Sequence, residues 1–309
     1  MIASTYTFEC ITPCFCAGAD QTKAEIRPSS IRGSLRWWFR ALGGSKELET
    51  EVFGGADPIA ASSILLRVSK IDSRPVGHLP PQKRNDPLSY ILYFPSVSSE
   101  ETRWNPSACY GTETKFQIII KQLRKISVDA EQKLNDAILA FRHFGSIGMH
   151  VTRGLGAVQC SEVNTESWKR AIDLIEGKGF TYRQSNKTHK VWDAVLEEAG
   201  KWLMNDLRKE FGAGGVKKHP TATALGSTPA SESELRKNRW TQVPRQTSAV
   251  YLRPIKQNGN LIFAAFEAPH ARVLGAASKS KHSAPVLQSR DFTQPAPIAQ
   301  QQGDRPRFR

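Results

Sequence analysis

Residues 26–42 read IRPSSIRGSLRWWFRAL, and this segment restricts the fold more than any other. Ile31, Leu35, Trp38 and Leu42 fall at the i, i+4, i+7, i+11 spacing of one helical face, and Gly43-Gly44 ends the pattern. A helix of this kind must bury its apolar stripe against a sheet or another helix. Residues 3–12 (ASTYTFECIT) alternate and are rich in Thr and aromatics, which predicts a strand. A polar loop with Pro13, Gly18 and Pro28 joins it to the helix. Residues 62–71, 115–123 and 157–163 read as further strands, and residues 90–95 as a short extra one after a Pro-rich loop at 73–87. Val128–Phe144 carries Leu134, Ile138 and Phe141 on one side and reads as a second amphipathic helix. The order βαββαβ predicts an α+β, ferredoxin-like (RRM-like) unit: a four-stranded antiparallel sheet backed by two helices, with its other face left for a ligand or neighbour.

The remainder is organised differently. Residues 165–211 carry helical periodicity in two pieces, one with Trp168, Ile172 and Ile175, the other over 191–211, ended by glycines at 212–215. A loose Ser/Thr/Ala/Pro stretch with a basic run at 236–239 leads to a hairpin over 249–256 and 260–267, joined by Asn258-Gly259. Beyond about 273, Pro, Gln, Ser and Arg rise and periodicity is lost, which reads as a disordered basic tail. The expected division is thus 1–163, 164–273 and 274–309. Two domains of about 150 residues suit the length, and 39% apolar residues suit globular cores.

With 43 Lys and Arg against 29 Asp and Glu, the net charge is +14 and the pI near 9.7, which points to a polyanionic partner. Apolar runs such as 261–266 fall far short of the roughly 20 residues of a bilayer-spanning helix. The N-terminus lacks a basic n-region and carries Glu9, so no secretory signal is read and a cytoplasmic location with no membrane partner is expected. Cys10, Cys14 and Cys16 cluster without a fourth thiol or a His at zinc spacing, so reduced thiols packed around a strand are expected, with no metal and no cofactor.

Two features carry the chemistry. In the first, a Pro-restricted loop at Arg27-Pro28 delivers Ser29 and Ser30 to a helix start, where N–H groups and the positive dipole end favour a phosphate and the hydroxyls cap the helix or touch that phosphate. Gly33 allows close approach, and Arg32, Arg36 and Arg40 form a cationic stripe beside the core face; the plain alternative is a solvated arginine stripe. Trp38 reads as core, while Trp37 is ambiguous. The second is FGSIGMHVTRGLG at 144–156, with glycines at 145, 148, 154 and 156 and with Arg142, His150 and Arg153 close by. Its spacing matches no nucleotide fingerprint, but its backbone suits a sugar-phosphate chain; a glycine-rich turn with no ligand is the alternative. Catalytic signals are sparse. His143 or His150 could act as general acid or base in metal-independent RNA cleavage, and Asp20 lacks a partner carboxylate. Replacing the exposed Arg32 and Arg36 together by Ala is expected to weaken RNA binding while leaving stability nearly unchanged.

The segments GAD at 18–20, EIRPSSIRGSLRWWFRALGG at 25–44, VFGG at 52–55 and RGLG at 153–156 together resemble the RAMP superfamily of CRISPR effector proteins, most closely the first subunit of the type III-B Cmr complex. The resemblance is dense over about 5–163 and thinner over 249–267. It implies tandem ferredoxin-like (RRM-like) folds, with a helical insertion in the second. It also implies a non-catalytic subunit that assembles with sister RAMP subunits and binds single-stranded guide and target RNA near the guide 3′ end. The rival reading is a metal-independent endoribonuclease maturing guide RNA. The expected RNA contacts are Arg27, Ser29, Ser30, Arg32, Gly33, Arg36, Arg40, Gly148, His150, Arg153, Gly154 and Gly156.

Overall fold

The protein is described by a computed structural model over residues 3–77, 79–80, 83, 86–92, 106–207, 225, 247–279 and 284–288. In chain order, β1 (Ala3–Cys10), β2 (Cys14–Phe15), α1 (Pro28–Ala41), α2 (Lys46–Phe53), β3 (Gly55–Ala56), β4 (Ile59–Ala60) and β5 (Ile64–Asp72) open the first unit. They are followed by α3 (Pro87–Leu92), β6 (Cys109–Tyr110), β7 (Lys115–Gln122), α4 (Val128–Phe144) and β8 (Val158–Cys160).

β5, β7, β1 and β8 lie side by side in that order, every neighbour antiparallel. The register sets Phe8 opposite both Phe116 and Cys160, and Val68 opposite Ile118. Alternation then puts Phe8, Cys10, Phe116, Ile118 and Ile120 in one buried layer. Ile31, Leu35 and Phe39 of α1 and Leu134, Ile138 and Phe141 of α4 close over that layer, with the Phe8 ring 5.7 Å from Phe116 and 5.4 Å from Phe141. Local chemistry sets the helix starts: Ser127 accepts from the Ala130 N–H and Ser45 from the Leu48 N–H.

The strand expected at 90–95 is not formed by its described residues; Tyr90–Leu92 close α3, where Ile91 and Leu92 are buried. The cause is tertiary, because Ile91 and Leu92 share a core with Val195, Leu196 and Ala199 of α6 (Trp192–Trp202). Residues 93–95 lie outside the described residues.

The second unit begins with α5 (Thr165–Gly177), held by reciprocal bonds between Asn164 and Ser167. A strand that periodicity did not reveal, β9 (Thr181–Gln184), separates it from α6. β10 (Val250–Leu252), β11 (Ile255–Gln257), β12 (Asn260–Ile262) and β13 (Ala264–Glu267) complete it. The Asn258-Gly259 turn forms with both residues left-handed, φ +49° and +73°, and joins β11 to β12. The long hairpin is nevertheless divided at Arg253-Pro254: β10 pairs with β13, which also pairs with β9. Pro254 has no N–H for the ladder, and Arg253 turns wholly inward. Its guanidinium donates to the carbonyls of Pro254 at 2.6 Å, Val158 at 2.7 Å and His143 at 3.3 Å. Burial pushes it down to about 9. The second unit is thereby tied to the last turn of α4, whose negative dipole end favours a cation.

The units share one core. Trp38 of α1 stacks on Phe180 at 5.6 Å and lies 5.2 Å from Phe266 of β13. Part of the stretch read as a tail is packed as well: Leu274, Val286 and Leu287 are buried, and the Val286 and Leu287 N–H groups donate to the buried Glu267 carboxylate. Residues 289–309 and the basic run at 236–239 lie outside the described residues.

Candidate nucleic-acid interface

Successive positions on α1 turn by about 100°, which divides the helix into three faces roughly 120° apart. Ile31, Leu35, Trp38 and Phe39 face the core. Ser30, Gly33, Ser34 and Trp37 line a cleft of about 690 Å³. Arg32, Arg36 and Arg40 occupy the third face, toward α2.

The cleft has three walls. One is the start of α1, where Arg27 holds the cap position, Pro28 is the first helical residue and no side chain caps the helix. Of the two roles open to the Ser29 and Ser30 hydroxyls, capping is not the one they take: both fall inside the first turn, Ser29 exposed and Ser30 half-buried at the cleft. The second wall is the glycine loop, with Ser146, Gly148 and Met149 lining the cleft. The Ser34 hydroxyl donates to the Ser146 carbonyl at 3.2 Å, so helix and loop are joined directly. The third wall is aromatic: Trp37, Tyr251 and Phe266, with Trp37 4.9 Å from Tyr251 and Tyr251 stacked on Phe266 at 4.9 Å and 8°.

The loop is clamped on every side. Met149 N–H donates to Phe15, Gly156 N–H to Pro13, Ile147 N–H to Gly156, and Leu252 N–H to Thr152. Gly156 is required by this clamping, since a Cβ there would lie 1.8 Å from the Ile147 carbonyl oxygen. Gly154 is buried, and a Cβ would meet Leu196 at 2.9 Å. Neither therefore offers exposed backbone to a ligand, contrary to expectation; Gly148 and Met149 are the exposed members. His150 and Arg153 turn toward α3, the imidazole Nδ1 3.3 Å from the Ile91 carbonyl and the guanidinium donating to Tyr90 at 3.1 Å while resting over the Tyr90 ring.

The arginine stripe is engaged elsewhere. Arg32 donates to the Phe53 carbonyl closing α2 at 3.0 Å, and Arg36 Nε lies 2.6 Å from Glu49, whose side chain is only 6% exposed. Arg40 reaches the other Glu49 oxygen at 3.7 Å and stays 55% exposed. Arg36 and Arg40 join Lys46 and Arg272 around a second cleft of about 710 Å³. Of the residues lining the first cleft, Arg27 alone carries a full charge. Sequence reasoning thus brought together Arg27, Ser30, Gly33 and Gly148, and missed Tyr251, Phe266 and the orientation of Trp37. Alternation in 249–267 marked Tyr251 and Phe266 as strand residues, but nothing local marked them as neighbours of α1.

The other candidates lie apart. His143 is fully buried, its Nδ1 2.9 Å from the Leu139 carbonyl and its Nε2 3.1 Å from the Ser167 hydroxyl, and burial holds it down to about 4. Asp20 accepts from the Thr22 N–H and hydroxyl and pairs with Lys23 on the surface. The five cysteines are free thiols, and among the described residues no cluster has metal-holding geometry. Nor is any described helix long and apolar enough to cross a membrane.

Residues 7–159 match the RAMP superfamily. Among curated proteins, the CRISPR system Cmr subunit Cmr1-1 of Pyrococcus furiosus is 27% identical over 177 residues, 53% of this chain and 47% of that protein. Cmr1-2 of the same organism is 40% identical over 63 residues, 18% of this chain and 34% of the relative. The matched stretches thus span about half and a third of those proteins. In overall structure the chain is similar to apo Cmr1 from Pyrococcus furiosus, with a TM-score of 0.52 at 16% identity, covering 94% of this chain and 92% of that one. It is also similar to a chain of the type III-B Cmr-β complex bound to cognate target RNA, with a TM-score of 0.50 at 12% identity, covering 85% and 94%.

Proposed function

The chain belongs to the RAMP superfamily, and from that premise we propose that it is a non-catalytic RNA-binding subunit of a type III-B CRISPR (Cmr) RNA-guided effector complex, held beside sister RAMP subunits. The second unit is read as a diverged ferredoxin-like copy of the first. The observation that carries the proposal is the cleft where an uncapped helix start, exposed glycine-loop backbone and an aromatic wall meet. The dipole end and Arg27 attract a phosphate, while the half-buried Trp37, backed by the buried Tyr251 and Phe266, offers a face on which a base stacks. No base-edge code is built into such a surface, so sequence selection comes from guide–target pairing in the complex. Guide and target RNA near the guide 3′ end are the proposed ligands.

The purified chain should shift unrelated single-stranded RNAs with similar affinity and a perfect duplex far more weakly. Strong preference for one sequence would overturn the reading. In the assembled complex, a photo-crosslinking base near the guide 3′ end should label this subunit, and labelling confined to other subunits would remove the placement. Incubation with labelled repeat RNA should give no cut product; cleavage that survives EDTA and is lost in His150→Ala would favour guide maturation instead.

A further inference from the structure

The floor of the cleft holds a thiol pair that the RNA-binding reading leaves unused. Cys14 opens β2 and Cys16 follows its last residue, and their sulfur atoms are 3.5 Å apart. Cys16 lines the cleft and is partly exposed; Cys14 lies behind it, fully buried, its thiol also 3.6 Å from the Ile147 carbonyl of the glycine loop. Cys10, Cys109 and Cys160 are buried too, so among the five thiols Cys16 is the one that solvent reaches. Backbone bonds hold the pair in place: the Cys16 N–H donates to Ala108, and the Glu25 N–H donates to the Cys16 carbonyl.

We propose that Cys14 and Cys16 are a reversible redox pair, in which a hydroperoxide entering the cleft oxidises Cys16 and Cys14 resolves the product to an intramolecular disulfide. In the first step the Cys16 thiolate attacks the peroxide, the O–O bond breaks, and Cys16 becomes a sulfenic acid as hydroxide or alkoxide leaves. In the second, the Cys14 sulfur attacks the Cys16 sulfur, the S–O bond breaks, and water carries off the hydroxyl with the Cys14 proton. Two thiols lose two electrons and the peroxide gains them. The surroundings divide the roles. A hydrogen bond from Cys14, with help from a Glu25 N–H and the Arg27 charge, holds the Cys16 thiol below its ordinary range, while its thiol neighbours and burial push Cys14 well up. Two steps of extended chain hold same-side Cβ atoms about 6.6 Å apart, more than the roughly 4 Å of a disulfide, so closing the bond draws the backbone at Phe15 and Cys16 together. Its formation withdraws the Cys14 thiol from Ile147, which conveys the redox state to the glycine loop.

The test needs no RNA, so its outcome is separate from that of the proposed function. The full chain is treated with hydrogen peroxide, its remaining thiols are alkylated, and intact and chymotryptic masses are read. The expected result is a loss of two hydrogens per chain, three alkylatable thiols instead of five, the fragments on either side of Phe15 joined through sulfur, and full reversal by dithiothreitol. Cys10→Ser should retain the cross-link, which separates Cys14 from its neighbour on the same fragment. Cys14→Ser should leave a Cys16 sulfenic acid that dimedone captures, and Cys16→Ser should abolish the cross-link. Five alkylatable thiols after peroxide, or a cross-link that Cys10→Ser removes, would overturn the proposal.

Discussion

The two solvent-facing flanks of α1 differ in kind although they alternate along the same 14 residues. On one, Ser30, Gly33, Ser34 and Trp37 border an open cleft with a single formal charge from Arg27. On the other, Arg32, Arg36 and Arg40 lie over α2, two of them satisfying one buried carboxylate. A guanidinium at i, i+4 and i+8 is cationic wherever it faces, but what it can bind depends on what the next helix sets opposite. Glu49 captures Arg36 tightly and Arg40 loosely, so the cationic flank is largely structural near α2 and available to anions only toward Lys46 and Arg272. The open flank works by contact area and a helix dipole.

The third face sets the scale for both. Leu35→Ala hollows a site that is 1% exposed and should cost about 2–5 kcal/mol in urea denaturation, with RNA affinity per folded molecule unchanged. A smaller loss than that from any flank substitution would mean the faces are misassigned. The next effect is proton-linked. His143 is held neutral down to about 4, whereas an unfolded histidine titrates near 6.5. The unfolded chain therefore binds the extra proton first as pH falls, and the stability present above about 6.5 is lost progressively down to about 4, by up to about 3 kcal/mol. His143→Leu should flatten that part of the stability–pH curve; an unchanged curve would show that the imidazole is solvated.

Arg36→Ala breaks the comparison most directly. Sequence alone made it a surface change of negligible cost. Because it strips the closer partner from Glu49, it should instead cost about 1–3 kcal/mol, and adding Glu49→Gln should recover much of that. Recovery by Glu49→Gln distinguishes an unpaired carboxylate from simple loss of packing. A wild-type midpoint for the single variant would return Arg36 to the pool of groups available to RNA.

How far the sequence discloses this molecule follows the range of the forces involved. Period-3.6 and period-2 patterns gave α1, α4 and the four strands of the first sheet, because each buries one face against a single layer. β9 escaped because four residues carry too little periodicity to break a helical window. α3 escaped because its apolar residues are selected by α6, more than a hundred positions away, and not by their neighbours. At the site, Pro28 and the serines marked a helix start correctly, but the cap fell to Arg27. The glycines of the loop were legible as a special backbone. That Gly154 and Gly156 serve close packing against Leu196 and Ile147, while Gly148 faces solvent, is a long-range fact.

The remaining predictions separate the flanks by how binding responds to salt. Trp37→Leu keeps apolar bulk but removes an extended stacking face, so it should weaken single-stranded RNA by about 1–3 kcal/mol with no change in the salt slope. Arg40→Ala with Lys46→Ala should do the reverse. Each phosphate contact contributes about −0.7 to the slope of log K against log salt for single strands, so losing two should make the slope shallower by about 1.4 while affinity at high salt barely changes. Arg40 is suited to this test because its 3.7 Å approach to Glu49 leaves Arg36 to hold the carboxylate, and Lys46 because it is exposed at the start of α2. If the double variant leaves the slope untouched, the RNA runs along the aromatic cleft alone and the second cleft faces a different ligand. If Trp37→Leu changes the slope instead, the aromatic wall positions phosphates and the assignment of roles to the two flanks is reversed.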